Sequence, residues 1–232
     1  MKTLFYQLFE KETSTYTYII ADRKTREAAI IDPVIETIDR DLNLIRELNL
    51  NLKYVLDTHI HADHITAAGE IRKRMGAKSA ISKAARVDCV DILLDDGSTL
   101  LLGDQVITAF STPGHTDSCM SFLFDGRIFT GDALLIRGNG RTDFQEGSSE
   151  RLFESVHKKL YSLPPDTLVY PAHDYKGFTS STIESELKWN PRLGIDKKKT
   201  DFIQIMSELK LDHPKKIQEA LPANRACGVK HE

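Results

Sequence analysis

Short apolar blocks punctuated by turn residues fill the first half of the chain. "LFYQLF" (4–9), "TYTYIIA" (15–21) and "EAAIIDP" (27–33) are rich in aromatic and β-branched residues, and each ends in charge or proline. Such runs predict strands. The period then changes. Ile38, Leu42, Ile45 and Leu48 recur at spacings of three and four, which predicts a helix. "KYVLDTH" (53–59) predicts a buried strand, and a second helix over Ile65, Ala68, Ile71 and Met75 should stop at Gly76. Strands return in "TLLLG", "QVITAFSTPG", "CMSFLFDG" and "RIFTGDALL", with Asp125-Gly126 as a hairpin signal. "SSERLFESVHKKLYSL" predicts a helix capped by Ser148 or Ser149, with Phe153, Val156 and Leu160 on one face. "TLVYPAHD" is another strand, and the last sixty residues read as helical and polar. Two β-rich stretches, each flanked by helices, predict a layered α/β fold in one domain over 1–232, ending in a short helical segment from about 180.

Composition narrows the function without naming it. With 232 residues, 41% hydrophobic and 28% charged, the chain can bury a full core without a structural metal. A net charge of -3 and the lack of a basic stripe argue against a nucleic-acid partner. No apolar run approaches a membrane span, and no signal-peptide pattern opens the chain. Cys89, Cys119 and Cys227 are odd in number and far apart, which argues against a disulfide framework and for a reducing, cytoplasmic setting. Packing is the expected role of Cys89 and Cys119.

The chemistry concentrates in four places, each where a predicted strand runs into a loop. These are "DTHIHADH" (57–64), His115 in "STPGHTDS", Asp132 in "FTGDAL" and His173 in "YPAHD". Three imidazoles and two carboxylates within eight positions are hard to satisfy in a core without a cation. Imidazole and carboxylate together suit zinc, iron or manganese. Isolated histidines such as His157 and His213 are expected to be packed or surface residues instead.

"THIHADH", "STPGHT", "FTGDAL" and "YPAHD", in this order, resemble the metallo-β-lactamase superfamily. The resemblance implies an αββα sandwich of two mixed sheets flanked by helices. In a dinuclear member, His59, His61 and His115 would hold one ion, Asp63, His64 and His173 a second, and Asp132 would bridge. By that inventory alone, a two-metal hydrolase follows.

A narrower similarity points elsewhere. "FTGDALLIRGNGRTDFQEGSSERLFESVHKKLYSLP", "VYPAHDYKGFTSSTIESE", "NPRL" and "PANRACGV" are similar to persulfide dioxygenases, the family of the ethylmalonic encephalopathy protein. That likeness implies oxidation of glutathione persulfide by O₂ and water to sulfite and glutathione, in sulfide catabolism. It implies one Fe(II) per chain on His59, His115 and Asp132, with His61, Asp63, His64 and His173 as surroundings. Two histidines and one carboxylate on one face of iron leave positions open for O₂ and a sulfur ligand. Asp63 is the expected orienter of a ligand ring. Tyr175 and Arg141 are expected substrate contacts, with a buried aromatic and an Arg141–Asp143 ion pair as the structural alternatives. Cys227, matching a cysteine of the family's C-terminal segment, is a candidate persulfide-reactive thiol. The G-N-G at 138–140 reads as a tight turn. A homodimer, and a separate rhodanese or sulfide:quinone oxidoreductase as pathway partner, complete the expectation. The rivals are a glyoxalase-II-like hydrolase of glutathione thioesters, using all seven residues for two metals, and a flavodiiron-type electron-transfer module, whose glutamate is replaced here by His61.

Overall fold

The computed structural model describes residues 2–212, 214 and 216–228. His213 lies outside the described residues. Two six-stranded sheets are present. The first runs in the order β1 (Thr3–Glu10), β2 (Thr15–Asp22), β3 (Glu27–Ile31), β4 (Asn51–Leu56), β5 (Lys78–Ser82) and β6 (Ile92–Leu94). Its first three strands pair antiparallel and the rest parallel. The second contains β7 (Thr99–Leu102), β8 (Gln105–Ser111), β9 (Met120–Phe124), β10 (Arg127–Gly131), β11 (Leu168–Pro171) and β12 (Ser181–Thr182). There β10 and β11 are parallel, while β8–β9, β9–β10 and β11–β12 are antiparallel. Both sheets are therefore mixed.

Local sequence explains most of these elements. Every residue of β2 is buried, as expected of a strand covered on both faces. In α1 (Ile38–Glu47), Ile38, Leu42 and Ile45 enter a core with Ile19, Ile30 and Val55, while Asp39, Arg40 and Glu47 stay outside. Helix α2 (Ala68–Met75) ends on Gly76 at φ 67°, a left-handed stop that glycine adopts without penalty. Asp125 and Gly126 both have positive φ, the turn that matches the twist of the β9–β10 hairpin. Ser148 caps α3 (Ser149–Ser155) by accepting from the Arg151 N–H, and the helix runs on as a π turn over Val156–Leu160. The expected last helices are α4 (Ile183–Trp189), α5 (Lys199–Glu208) and α6 (Ile217–Arg225).

The chain forms two compact units: residues up to 94, 99–107 and the C-terminal stretch carrying α6 in the first, and 95–98 with 108–212 in the second. Helices α4 and α5 thus belong to the second unit and α6 to the first. Two further points depart from the sequence reading. Strands β5 and β6 were not anticipated; "KSAIS" and "ILL" are too short to carry a period. Finally, Cys89 and Cys227 form a disulfide across 138 positions, with Cα atoms 6.0 Å apart. Cysteine count and spacing could not show it, because the pairing depends on α6 returning to the first unit. Cys227 is therefore not a thiol, Cys89 does more than pack, and the argument from cysteine usage for a reducing compartment falls. Cys119 is buried, its Sγ accepting the Thr116 N–H.

Candidate metal centre

In the first unit the chain leaves β4 at Leu56 and enters the histidine loop under the control of a residue outside the motif. Asp32, directly after β3 and with φ 50°, is buried. Its carboxylate accepts the Thr58 N–H at 2.7 Å and the Thr58 hydroxyl at 2.9 Å, and sits 3.1 Å from His61 Nε2. Because the Thr58 proton goes to Asp32, the Thr58 oxygen accepts from His59 Nδ1, 2.9 Å away. That fixes the His59 tautomer with its proton on Nδ1, so that Nε2 is the nitrogen that could offer a lone pair. Ring centroids of His59 and His61 are 4.1 Å apart, and those of His61 and His64 4.3 Å. Asp63 lies 3.0 Å from His64 Nδ1, so it orients a histidine, though not His59.

Charge in this loop favours a cation. Burial opposes a proton on His61, yet Asp32, Asp63 and Asp57 outweigh it and raise its pKa. Burial pushes the Asp57 carboxyl up to about 7, with His61 pulling the other way and Asp32 adding to the rise. His61, Asp63 and His64 can offer ligand atoms within 4.8 Å of one another, as can Asp32, Asp57 and His61. Hard oxygen and imidazole nitrogen donors, with no thiolate among them, fit a borderline divalent metal.

The loop is braced from the far end of the chain. Asn224 of α6, buried, accepts the Thr66 N–H at 2.9 Å and donates to the carbonyls of His61 and His64, each at 2.8 Å.

In the second unit the holding groups are mostly backbone. His115 Nδ1 donates to the Arg141 carbonyl at 2.6 Å, which again puts the ring proton on Nδ1. His115 Nε2 stands 3.6 Å from Asp132 Oδ2. Asp132 follows β10, and its Oδ1 is 2.7 Å from His173 Nδ1. Gly140 lets the loop close over these groups: its N–H reaches the Asp132 carbonyl at 2.8 Å, and a Cβ there would lie 2.5 Å from that oxygen and 2.9 Å from His115 Nδ1. The tight-turn reading of G-N-G is thus extended, since the turn itself covers two site residues.

The other expected site residues fall as follows. Arg141 directs Nε and Nη2 to Asp143 at 2.7 and 2.8 Å, reaches the carbonyls of Leu211 and Asp212, and stacks on Phe144. The ion pair with Asp143 is thus formed. Tyr175 is 72% exposed and its ring lies parallel to that of His173, with centroids 6.1 Å apart, so the buried-aromatic alternative is excluded. His157 is packed against Phe153. Asp32, Thr58 and Asn224 were missed: each acts through contacts distant in sequence from the motif or from a residue type with no local signature.

Comparison with known proteins agrees with this architecture. The model of the metallo-β-lactamase superfamily matches residues 11–173, and the chain belongs to that superfamily. The human mitochondrial persulfide dioxygenase ETHE1 is 47% identical over 97% of this chain and 89% of its own length. The crystal structure of ETHE1 from Myxococcus xanthus is 50% identical, covers 97% of this chain and 100% of that one, and superposes with a TM-score of 0.95. Within the superfamily, the chain belongs with the persulfide dioxygenases. Glyoxylase B2 of Dictyostelium discoideum is more distant, 29% identical over 94% of this chain and 89% of that protein. The expected fold, two mixed sheets flanked by helices, is borne out.

Proposed function

We propose that this chain is an iron-dependent persulfide dioxygenase acting on glutathione persulfide: RSSH + O₂ + H₂O → RSH + SO₃²⁻ + 2 H⁺. The observation that carries the reading is near-half identity to a persulfide dioxygenase over almost the whole chain. The proposed iron ligands are His59 Nε2, His115 Nε2 and Asp132. Support comes from the way each is prepared: Thr58 takes Nδ1 of His59, the Arg141 carbonyl takes Nδ1 of His115, and His173 takes one oxygen of Asp132. Ferrous iron on two imidazoles and one carboxylate supplies open coordination positions and the redox capacity that O₂ chemistry requires. The surrounding residues hold protons and orientation. His61, whose Nε2 is 3.1 Å from the Asp32 carboxylate, is the proposed acceptor of a proton released as sulfite forms. His173 fixes the carboxylate of Asp132.

The grouping of His61, Asp63 and His64 favours one second reading, a dinuclear hydrolase of glutathione thioesters. Iron and zinc should be quantified on the purified protein and O₂ uptake then followed with glutathione persulfide. About one iron per chain with O₂ consumption supports the dioxygenase. Two metals per chain with thioester cleavage and no O₂ uptake would replace it.

A further inference from the structure

Residues 217–228 are attached to the histidine loop by hydrogen bonds, apolar packing and close backbone approach. Asn224 bonds three backbone groups of the loop, at His61, His64 and Thr66. The Cys227 carbonyl accepts the Gly69 N–H at 3.0 Å, an approach possible because Gly69 has no side chain; a Cβ there would stand 2.4 Å from that oxygen. Gly228, at φ +81°, lies so close to Thr66 that a Cβ would meet its carbonyl at 2.1 Å. Ile65 packs with Ala220 and Ala223, and Leu221 packs against the cluster of Ile60, Ile81 and Val87. Cys227 itself holds φ 56°, left-handed backbone that a non-glycine residue keeps only when its surroundings fix it. The Cys89–Cys227 bond then ties this corner to the segment after β5.

We propose that Asn224 is a positioning residue for the histidine loop, and that the Cys89–Cys227 disulfide is the covalent latch that keeps it in place, so that small thiols loosen the loop's hold on metal. The loop's carbonyls at His61 and His64 need donors, and Asn224 supplies one to each from a single amide. The helix bearing that amide is short and ends at Arg225, two residues before the latch. Opening the latch leaves the amide held only by non-covalent contacts. The step is a double thiol–disulfide exchange. A first thiolate attacks one sulfur of the pair and forms a mixed disulfide; a second thiol displaces it. One Sγ–Sγ bond breaks, one RS–SR bond forms, and two protons end on Cys89 and Cys227. The reductant is a low-molecular-weight thiol, the chemical class that the proposed reaction releases as product. Only the metal readout rests on the proposed function; the bond and the loop dynamics do not.

The test uses the full-length chain loaded with Co²⁺ as a spectroscopic probe, before and after dithiothreitol. Thiol titration under denaturing conditions should give one thiol per chain before reduction and three after. Reduction should speed chelator-driven Co²⁺ loss about tenfold, and should raise amide exchange in residues 58–69 and 217–228 while both sheets stay protected. Reoxidation should restore both. Cys89→Ser should show the fast behaviour at once and lose its response to dithiothreitol. Asn224→Asp, which keeps the acceptor for Thr66 but removes both donors, should shift the Co²⁺ absorption bands with the disulfide intact. Three thiols in the unreduced protein would overturn the proposal. So would unchanged Co²⁺ loss and exchange after verified reduction, or exchange that rises uniformly over both sheets. Loop loosening without persulfide-dependent O₂ uptake would leave the latch standing and remove the proposed function; O₂ uptake with an unresponsive loop would do the reverse.

Discussion

The histidine loop of the first unit and the His115–Asp132 loops of the second, each taken by itself, are held by different means. In the first unit, side chains from distant positions control the histidine loop: Asp32 from the end of β3 and Asn224 from α6. In the second, backbone groups do most of it: the Arg141 carbonyl orients His115 and Gly140 closes over Asp132, with the His173 side chain as the exception. A side-chain brace can be removed by one substitution without altering the path of the chain. A backbone brace can be disturbed only by moving the chain itself. The first unit is therefore the half open to regulation, and the second the half that should tolerate least.

Substitutions can break or sharpen that contrast. The largest effect is expected of Asp132→Ala, which removes a proposed ligand: most of the iron should be lost on metal analysis and O₂ uptake should fall by more than about 100-fold, beyond the range usual for residues behind a ligand. Asp32→Ala comes next. It strips partners from Thr58 and His61 while leaving every proposed ligand, so titration should show metal affinity weaker by roughly 10–100-fold. Gly140→Ala should destabilise the protein by about 1–3 kcal/mol in thermal or denaturant unfolding, since the new methyl group collides with the Asp132 carbonyl and crowds Asp132 Cβ and His115 Nδ1 as well. His173→Ala should keep most of its iron and lose activity; an iron-free protein would instead support the dinuclear reading. The smallest effect concerns pH. Burial raises the carboxyl of Asp41 despite Arg40 beside it. Its folded pKa then exceeds its unfolded one, so the stability it contributes is full below the ordinary carboxylate value and is lost as pH rises through the folded pKa. Asp41→Asn should flatten that part of a stability–pH curve measured by denaturant unfolding.

The legible part of this protein was what a short window contains. The strands from β1 to β4, the hairpin at Asp125-Gly126, the stop of α2 at Gly76 and the four histidine- or aspartate-bearing loops all carry local signals. Strands β5 and β6 did not, because their burial comes from neighbours in the sheet and not from a periodic pattern. Asp32 was visible only as the end of a strand, and its role depends on Thr58 and His61, 26 and 29 positions away. Asn224 is 163 positions from His61, in a helix whose composition gives no hint of a partner. Pairing of Cys89 with Cys227 failed for the same reason. The proposed metal ligands lie in motifs that a short window shows; the residues that orient them are defined by the fold.

That separation has a consequence for biosynthesis. A ribosome releases the histidine motif long before it makes the asparagine that braces it, and domains tend to fold as units. Until residues 217–228 emerge, the nascent chain carries donor atoms without their support and without the latch. If Asn224 positions the loop as proposed, fragments ending before α6 should hold a metal more weakly than the chain that carries it.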